Sequence, residues 1–190
     1  MHTNPWHSIK KEKITSTCFD ACIEISKGSK NKYELDKESG LLRLDRVLYT
    51  STSYPQNYGF IPRTYASDKD PLDVLVLCSE PILPMSLVEC TPIGVMVMMD
   101  NGVADEKIIA VCKNDPVYRD FKDIKDLPHH VMEEIKHFFT VYKTLEGKET
   151  AVQCFKNRES AMKIIKSAIK AYEKEIEPRI LADIKNKYCK

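Results

Sequence analysis

Three carboxylates fall within six residues in Asp68-Lys69-Asp70-Pro71-Leu72-Asp73, directly before the apolar run Val74 to Leu77. Like charges this close raise one another's pKa unless a cation compensates, and a divalent metal is the usual compensation. Oxygen-only ligands select a hard ion such as Mg²⁺ or Mn²⁺ over zinc. The segment is no EF-hand, because Asp73 stands where that loop has its glycine and Ser79 where it has its final glutamate. Taken alone, the motif reads equally well as an acidic surface turn.

The motif is not alone. Asp100 and Asp105 lie in and beside an Asn-Gly turn, Asn101-Gly102, and Asp105 shares one strand face with Lys107. Glu24, Lys32 and Glu34 lie opposite the apolar residues of their own strands. Each of these by itself reads as a solvated polar face. If the faces line one cavity, the chain presents seven carboxylates interleaved with cations. A metal-phosphate site requires that mixture, since carboxylates hold Mg²⁺ while Lys and Arg bind the phosphoryl oxygens. Tyr54-Pro55-Gln56-Asn57-Tyr58-Gly59-Phe60 reads as a rigid turn whose phenols either pack in the core or donate to an anion. Tyr142-Lys143 ends a helix, where a core Tyr beside a Lys favoured by the helix dipole is the alternative to a binding pair.

The elements that must carry these groups are legible from periodicity. Phe19, Ala21, Ile23 and Ile25 alternate with polar residues, as do Tyr33 and Leu35, and a further strand-like stretch runs from Leu41 to Tyr49. Val74 to Leu77, Gly94 to Met99 and Lys107 to Val111 complete the strands. Beyond Asp115 the period becomes helical, with Asp126 as N-cap of a helix through Val131, Met132, Ile135, Phe138, Phe139 and Tyr142, closed by Leu145-Glu146-Gly147. A second helix starts near Arg158, is ended or kinked by Pro178 and is followed by a short helical tail to Tyr188. Short strands followed by two amphipathic helices suggest an antiparallel, closed sheet with helices outside it.

Composition narrows the class. The chain has 190 residues, 43% hydrophobic and 30% charged, which suits one soluble domain over residues 1–190 with a C-terminal helix and extension from about 158. Lys and Arg number 29 against 28 Asp and Glu, so no field gathers a polyanion, and a nucleic-acid binder is disfavoured. Seven scattered cysteines without a C-x-x-C pair read as free thiols in a reducing cytoplasm. The N-terminal residues carry no apolar signal core, and no apolar run is long enough to cross a bilayer.

In order, these residues closely resemble the soluble family I inorganic pyrophosphatases of the compact bacterial type. The resemblance runs from Cys22 to about Lys148 through Ile23-Glu24-Ile25, Lys32-Tyr33-Glu34-Leu35-Asp36-Lys37-Glu38-Ser39-Gly40, Asp45-Arg46, Tyr54 to Gly59, Asp70 to Val76, the Asp100/Asp105/Lys107 hairpin, and His137-Phe138-Phe139 with Tyr142-Lys143. It implies a mainly β, α+β fold: a five-stranded OB-like β-barrel with flanking helices, two of them in the C-terminal third. It implies hydrolysis of pyrophosphate to two orthophosphates with several Mg²⁺ ions, for which Mn²⁺ or Zn²⁺ substitute and which Ca²⁺ inhibits. By resemblance, Asp68, Asp73 and Asp105 are ligands of the tightest metal, Asp73 bridging to a second with the nucleophilic hydroxide between them. Asp70 is the general base, and Asp100, Glu24 and Glu34 serve the metals that arrive with substrate. Lys32, Arg46, Tyr58, Lys107, Tyr142 and Lys143 hold the phosphates, with Tyr54 supporting the water network. A homo-oligomer is implied, a hexamer ahead of a dimer or trimer.

Some positions depart from the family pattern. Lys69 stands where a small or acidic residue is usual; pointing inward it would compete with Mg²⁺, and pointing outward it would be harmless. Asn101 replaces an acidic residue after Asp100, and Glu149 and Phe155 stand where tryptophans are often found. Two other readings were open at this level: a catalytically impaired OB-like binding module, and another Mg²⁺ enzyme using a D-x-D pair, the latter without a Gly-rich phosphate loop to support it.

Overall fold

The computed structural model describes residues 4–100 and 102–188, so Asn101 and Cys189 lie outside the described residues. After a short helix α1 (Pro5–Ser8) come seven strands: β1 (Phe19–Ile25), β2 (Asn31–Leu35), β3 (Leu42–Val47), β4 (Asn57–Phe60), β5 (Asp73–Leu77), β6 (Leu87–Asp100) and β7 (Val103–Cys112). Then follow α2 (His129–Val141), β8 (Thr150–Asn157), α3 (Arg158–Glu175) and α4 (Glu177–Tyr188).

β1 pairs with β4, β4 with β5, β5 with β7, β7 with β6, and β6 returns to β1, closing a ring of five strands. Every pairing in the ring is antiparallel except β5 with β7. This is the strand order expected of an OB-like barrel. β8 extends from the free side of β6, and β2 with β3 forms a separate hairpin. Gly59 stands opposite Ile23 in the β1–β4 ladder, where an added Cβ would lie 1.9 Å from the Cys22 carbonyl oxygen; only glycine admits this approach.

Both faces of the ring strands are covered, which explains the unbroken apolar run in β5. Leu75, Leu77, Ile109 and Val111 belong to one core with Ile135, Phe138 and Phe139 of α2. Val74, Val76, Ile108 and Ala110 belong to a second core with Ala161, Ile165 and Ala168 of α3. A third, smaller core gathers Trp6, Cys22, Leu35, Phe60 and Tyr172.

Local chemistry corrects two expectations. The segment read as a rigid turn from Tyr54 to Phe60 is a turn only as far as Gln56; Asn57–Phe60 is strand β4. Helix α2 starts at His129 with Pro128 as N-cap, while Asp126 pairs with Asp123 in a capping box on the one-turn 3-10 helix before it. β8, largely exposed, carries no clean alternation that marks it in sequence. Pro178 falls in the first turn of α4, where its missing N–H costs nothing.

Candidate active site

The alternation of β5 and β7 places Asp73 on the face of Leu75 and Leu77, and Asp105 and Lys107 on the face of Ile109 and Val111. The site is therefore the polar end of the same face that α2 seals. At its centre Lys107, 3% exposed, puts Nζ 2.6 Å from Asp73 Oδ2, 3.0 Å from Asp105 Oδ2 and 2.9 Å from the Tyr58 hydroxyl. The Tyr58 hydroxyl donates to Asp73 Oδ2 at 2.5 Å. Burial disfavours the Lys107 charge, yet Asp73 and Asp105 outweigh burial and hold its pKa above that of an ordinary lysine.

Glu24 is buried on β1 and accepts the Leu35 backbone N–H at 2.7 Å, tying the β2 end to the ring. Burial, and after it the charge of Asp73, push its pKa up to about 8. Burial likewise raises Asp68, against a hydrogen bond from the Asp70 backbone. Tyr54, Tyr58 and Tyr142 are raised chiefly by burial, so all three phenols stay protonated as donors. They are packed as well: Tyr54 lies 5.3 Å from the Tyr58 ring and 4.8 Å from Phe138, so core packing and cavity-facing roles coexist.

The acidic loop is wound tightly between β4 and β5. Ala66 N–H donates to Asp70 O at 2.8 Å, Lys69 N–H to Ala66 O at 3.1 Å, and Asp70 N–H to Asp68 Oδ1 at 3.0 Å. Lys69 takes a left-handed φ of 72° at the tip. The opposite wall is the β2–β3 hairpin, where Lys32 pairs with Glu34 and with Asp45 at 3.1 Å, and Arg46 pairs with Asp45 and with Glu146 at 2.8 Å. Lys37 pairs with Asp70, and Lys143 with Asp100.

A single cavity of about 300 Å³ is lined by Glu24, Lys32, Glu34, Tyr54, Tyr58, Asp68, Asp70, Asp73, Asp100, Asp105, Lys107, Tyr142 and Lys143. Every site residue expected from the sequence lines it except Arg46, which sits behind Lys32 on β3 with Nη2 buried and unpaired. Lys69 faces a separate groove against α3, with Glu106 and Glu175, so it points away from the acidic cavity. Sequence reasoning gave no role to Lys37 and none to Glu146. Lys37 follows a strand in a turn, and Glu146 is distant in the chain, so neither carries a pattern that reveals it.

The donors suit a hard divalent ion: among the described residues, seven carboxylates line the cavity with no thiol and no imidazole. As they stand, among the described residues no three acidic, histidine or cysteine side chains enclose a point for an ion. Ammonium groups occupy the spaces between them, Lys107 between Asp73 and Asp105 and Lys143 on Asp100. The acids therefore already draw cations.

The inorganic pyrophosphatase family model matches residues 21–173. A soluble inorganic pyrophosphatase of Solanum tuberosum is 50% identical over 173 residues, covering 91% of this chain and 82% of the relative. A second, from Chlamydomonas reinhardtii, is 47% identical over 182 residues, covering 96% and 95%. Among solved structures, the inorganic pyrophosphatase from Thermus thermophilus superposes with a TM-score of 0.83 at 38% identity, over 90% of this chain and 99% of that one. Barrel, cavity and relatives agree over most of its length: the chain belongs to the inorganic pyrophosphatase family.

Proposed function

We propose that the cavity takes pyrophosphate together with Mg²⁺ and hydrolyses it to two orthophosphates by in-line attack of water, without a covalent enzyme intermediate. The observation that carries this reading is the meeting of seven carboxylates with Lys32, Lys107, Lys143 and three phenols in one cavity. Acids alone would hold a metal and cations alone an anion; a metal pyrophosphate needs both.

Asp68, Asp73 and Asp105 would hold the tightest metal and Asp73 would also serve a second; Asp100, Glu24 and Glu34 would serve those that enter with substrate. When bound, Mg²⁺ neutralises phosphate charge and lowers the pKa of the attacking water. Asp70 accepts the proton of that water. Lys32, Lys107, Lys143, Tyr58 and Tyr142 bind phosphoryl oxygens, each lysine exchanging a carboxylate partner for substrate. Arg46, with its spare buried N–H, joins them from behind Lys32, and Tyr54 supports the water network.

The whole chain serves as one domain and works in the cytoplasm, a reading that its free cysteines support. It assembles as a homo-oligomer, a hexamer first; exposed Leu41, Leu44, Val47, Tyr49 and Leu83 support self-association. No described helix is long and apolar enough to cross a membrane. The test is orthophosphate release across a Mg²⁺ titration with Ca²⁺ as competitor. Fast, Mg²⁺-dependent, Ca²⁺-inhibited release is expected, and folded protein that releases none would leave the binding-module reading in its place.

A further inference from the structure

We infer that the N-terminal segment Asn4–Trp6 belongs to the active-site machinery: it positions Lys37, and Lys37 orients the carboxylate of Asp70. The inference rests on the assignment of Asp70 as general base. A lysine in an exposed turn ordinarily keeps its rotamer freedom, and fixing it costs side-chain entropy. Lys37 is held at three points instead. Its carbonyl accepts the Asn4 side-chain amide at 2.8 Å, its ammonium lies 5.8 Å over the Trp6 ring, and the same ammonium pairs with Asp70 Oδ1.

Trp6 also braces the other partner. Its indole, buried in the third core, donates to the Thr64 carbonyl at 2.9 Å, and the Thr64 hydroxyl accepts the Leu72 N–H at 2.8 Å. The N-terminal segment thus indexes the turn that carries Lys37 against the loop that carries Asp70. With Oδ1 taken by the ammonium, Oδ2 is the oxygen left to accept a proton, and a general base needs one lone pair held in a fixed direction. Lys37 acts through Asp70 and is a positioning residue.

The test is a double-mutant cycle in the full chain. Lys37→Met should lower kcat about tenfold, leave KM within about twofold, and recover at least half of the loss as Lys37→Arg. Mg²⁺ affinity measured by calorimetry without substrate should be unchanged. In an Asp70→Asn background Lys37→Met should cost nothing further. Asn4→Ala and Trp6→Phe, each checked for an unchanged fold by circular dichroism, should repeat the pattern at about two- to fivefold. Unchanged kcat in Lys37→Met, multiplicative effects with Asp70→Asn, a loss carried by KM, or tighter Mg²⁺ binding would each overturn the inference. Near-normal turnover of Asp70→Asn alone would instead remove the base assignment, and the single variant shows that before the cycle is closed.

Discussion

The two walls of the cavity hold their charges in different ways. On the ring wall, Glu24 and Lys107 are 8% and 3% exposed and sit on strands paired on both sides. On the hairpin wall, the Lys32, Glu34 and Lys37 side chains are 18%, 60% and 46% exposed, and Lys37 reaches across to Asp70 of the acidic loop, itself 50% exposed. Burial fixes the first set and makes each charge strongly felt; chains of contacts fix the second, in water that screens them. A site for a multiply charged, exchanging ligand benefits from both. One wall sets a permanent field, and the other adapts its side chains as substrate enters and products leave.

Several changes should break or sharpen that contrast. Lys107→Met removes the cation between Asp73 and Asp105, and metal-free stability should fall by about 2–3 kcal/mol in urea denaturation. Turnover should fall about 10²–10³-fold. Added Mg²⁺ should restore the stability and leave the turnover low. Lys32→Ala on the hairpin wall should change stability by less than about 1 kcal/mol while raising the substrate KM about tenfold in steady-state kinetics. Equal stability losses for the two variants would erase the distinction between the walls.

Away from the cavity, burial and then Arg63 lower the His7 pKa from its ordinary 6.5 to about 4. As pH falls, the unfolded chain takes this proton first, so stability is whole above about 6.5 and drains away down to about 4. Glu24, raised to about 8, gains stability as pH falls through the same range, so the His7 share is read as a difference: from pH 6.5 to 4 the wild type should lose a few degrees of melting temperature relative to His7→Gln, discounted for the partial exposure of the ring. Smallest of all, Lys69→Gly relieves the φ of 72° and should stabilise by up to about 1 kcal/mol, with an unchanged Mg²⁺ activation curve.

The parts of the molecule with strong contrast were legible in sequence. β1, β5, the β6–β7 turn, α2 and α3 each carry a clean period or an Asn-Gly signal. The thirteen expected cavity residues follow instead from the ordered set of motifs that resembles the pyrophosphatases, since each polar group alone reads as a solvated face or a core residue. What escaped lacked contrast. β4 is four residues with glycine inside, and of its apolar side chains β8 buries only Val152 and Phe155 in part, across a register shift, so neither shows a clean alternation. Asp126 has the chemistry of a cap but serves the turn before the helix. The direction of Lys69 and the partners of Lys37 and Arg46 depend on tertiary placement, which no local pattern encodes.

The closed ring also governs how the protein is made. Val74 meets Ile108 in the parallel pair, and Phe19 meets Cys90 where β1 joins β6, so both closures bridge long stretches of chain. Such pairings form late, because loop entropy is lost before their contacts reward it. Glu24, Asp73 and Lys107 ride on β1, β5 and β7, and they meet only after those closures. During refolding, catalytic competence should therefore return with the last phase rather than with the first burst of secondary structure. Glu24 and Asp105 stay apart from the Asp68–Asp73 loop until the ring shuts, and the repulsion between those segments is confined to the final step of assembly.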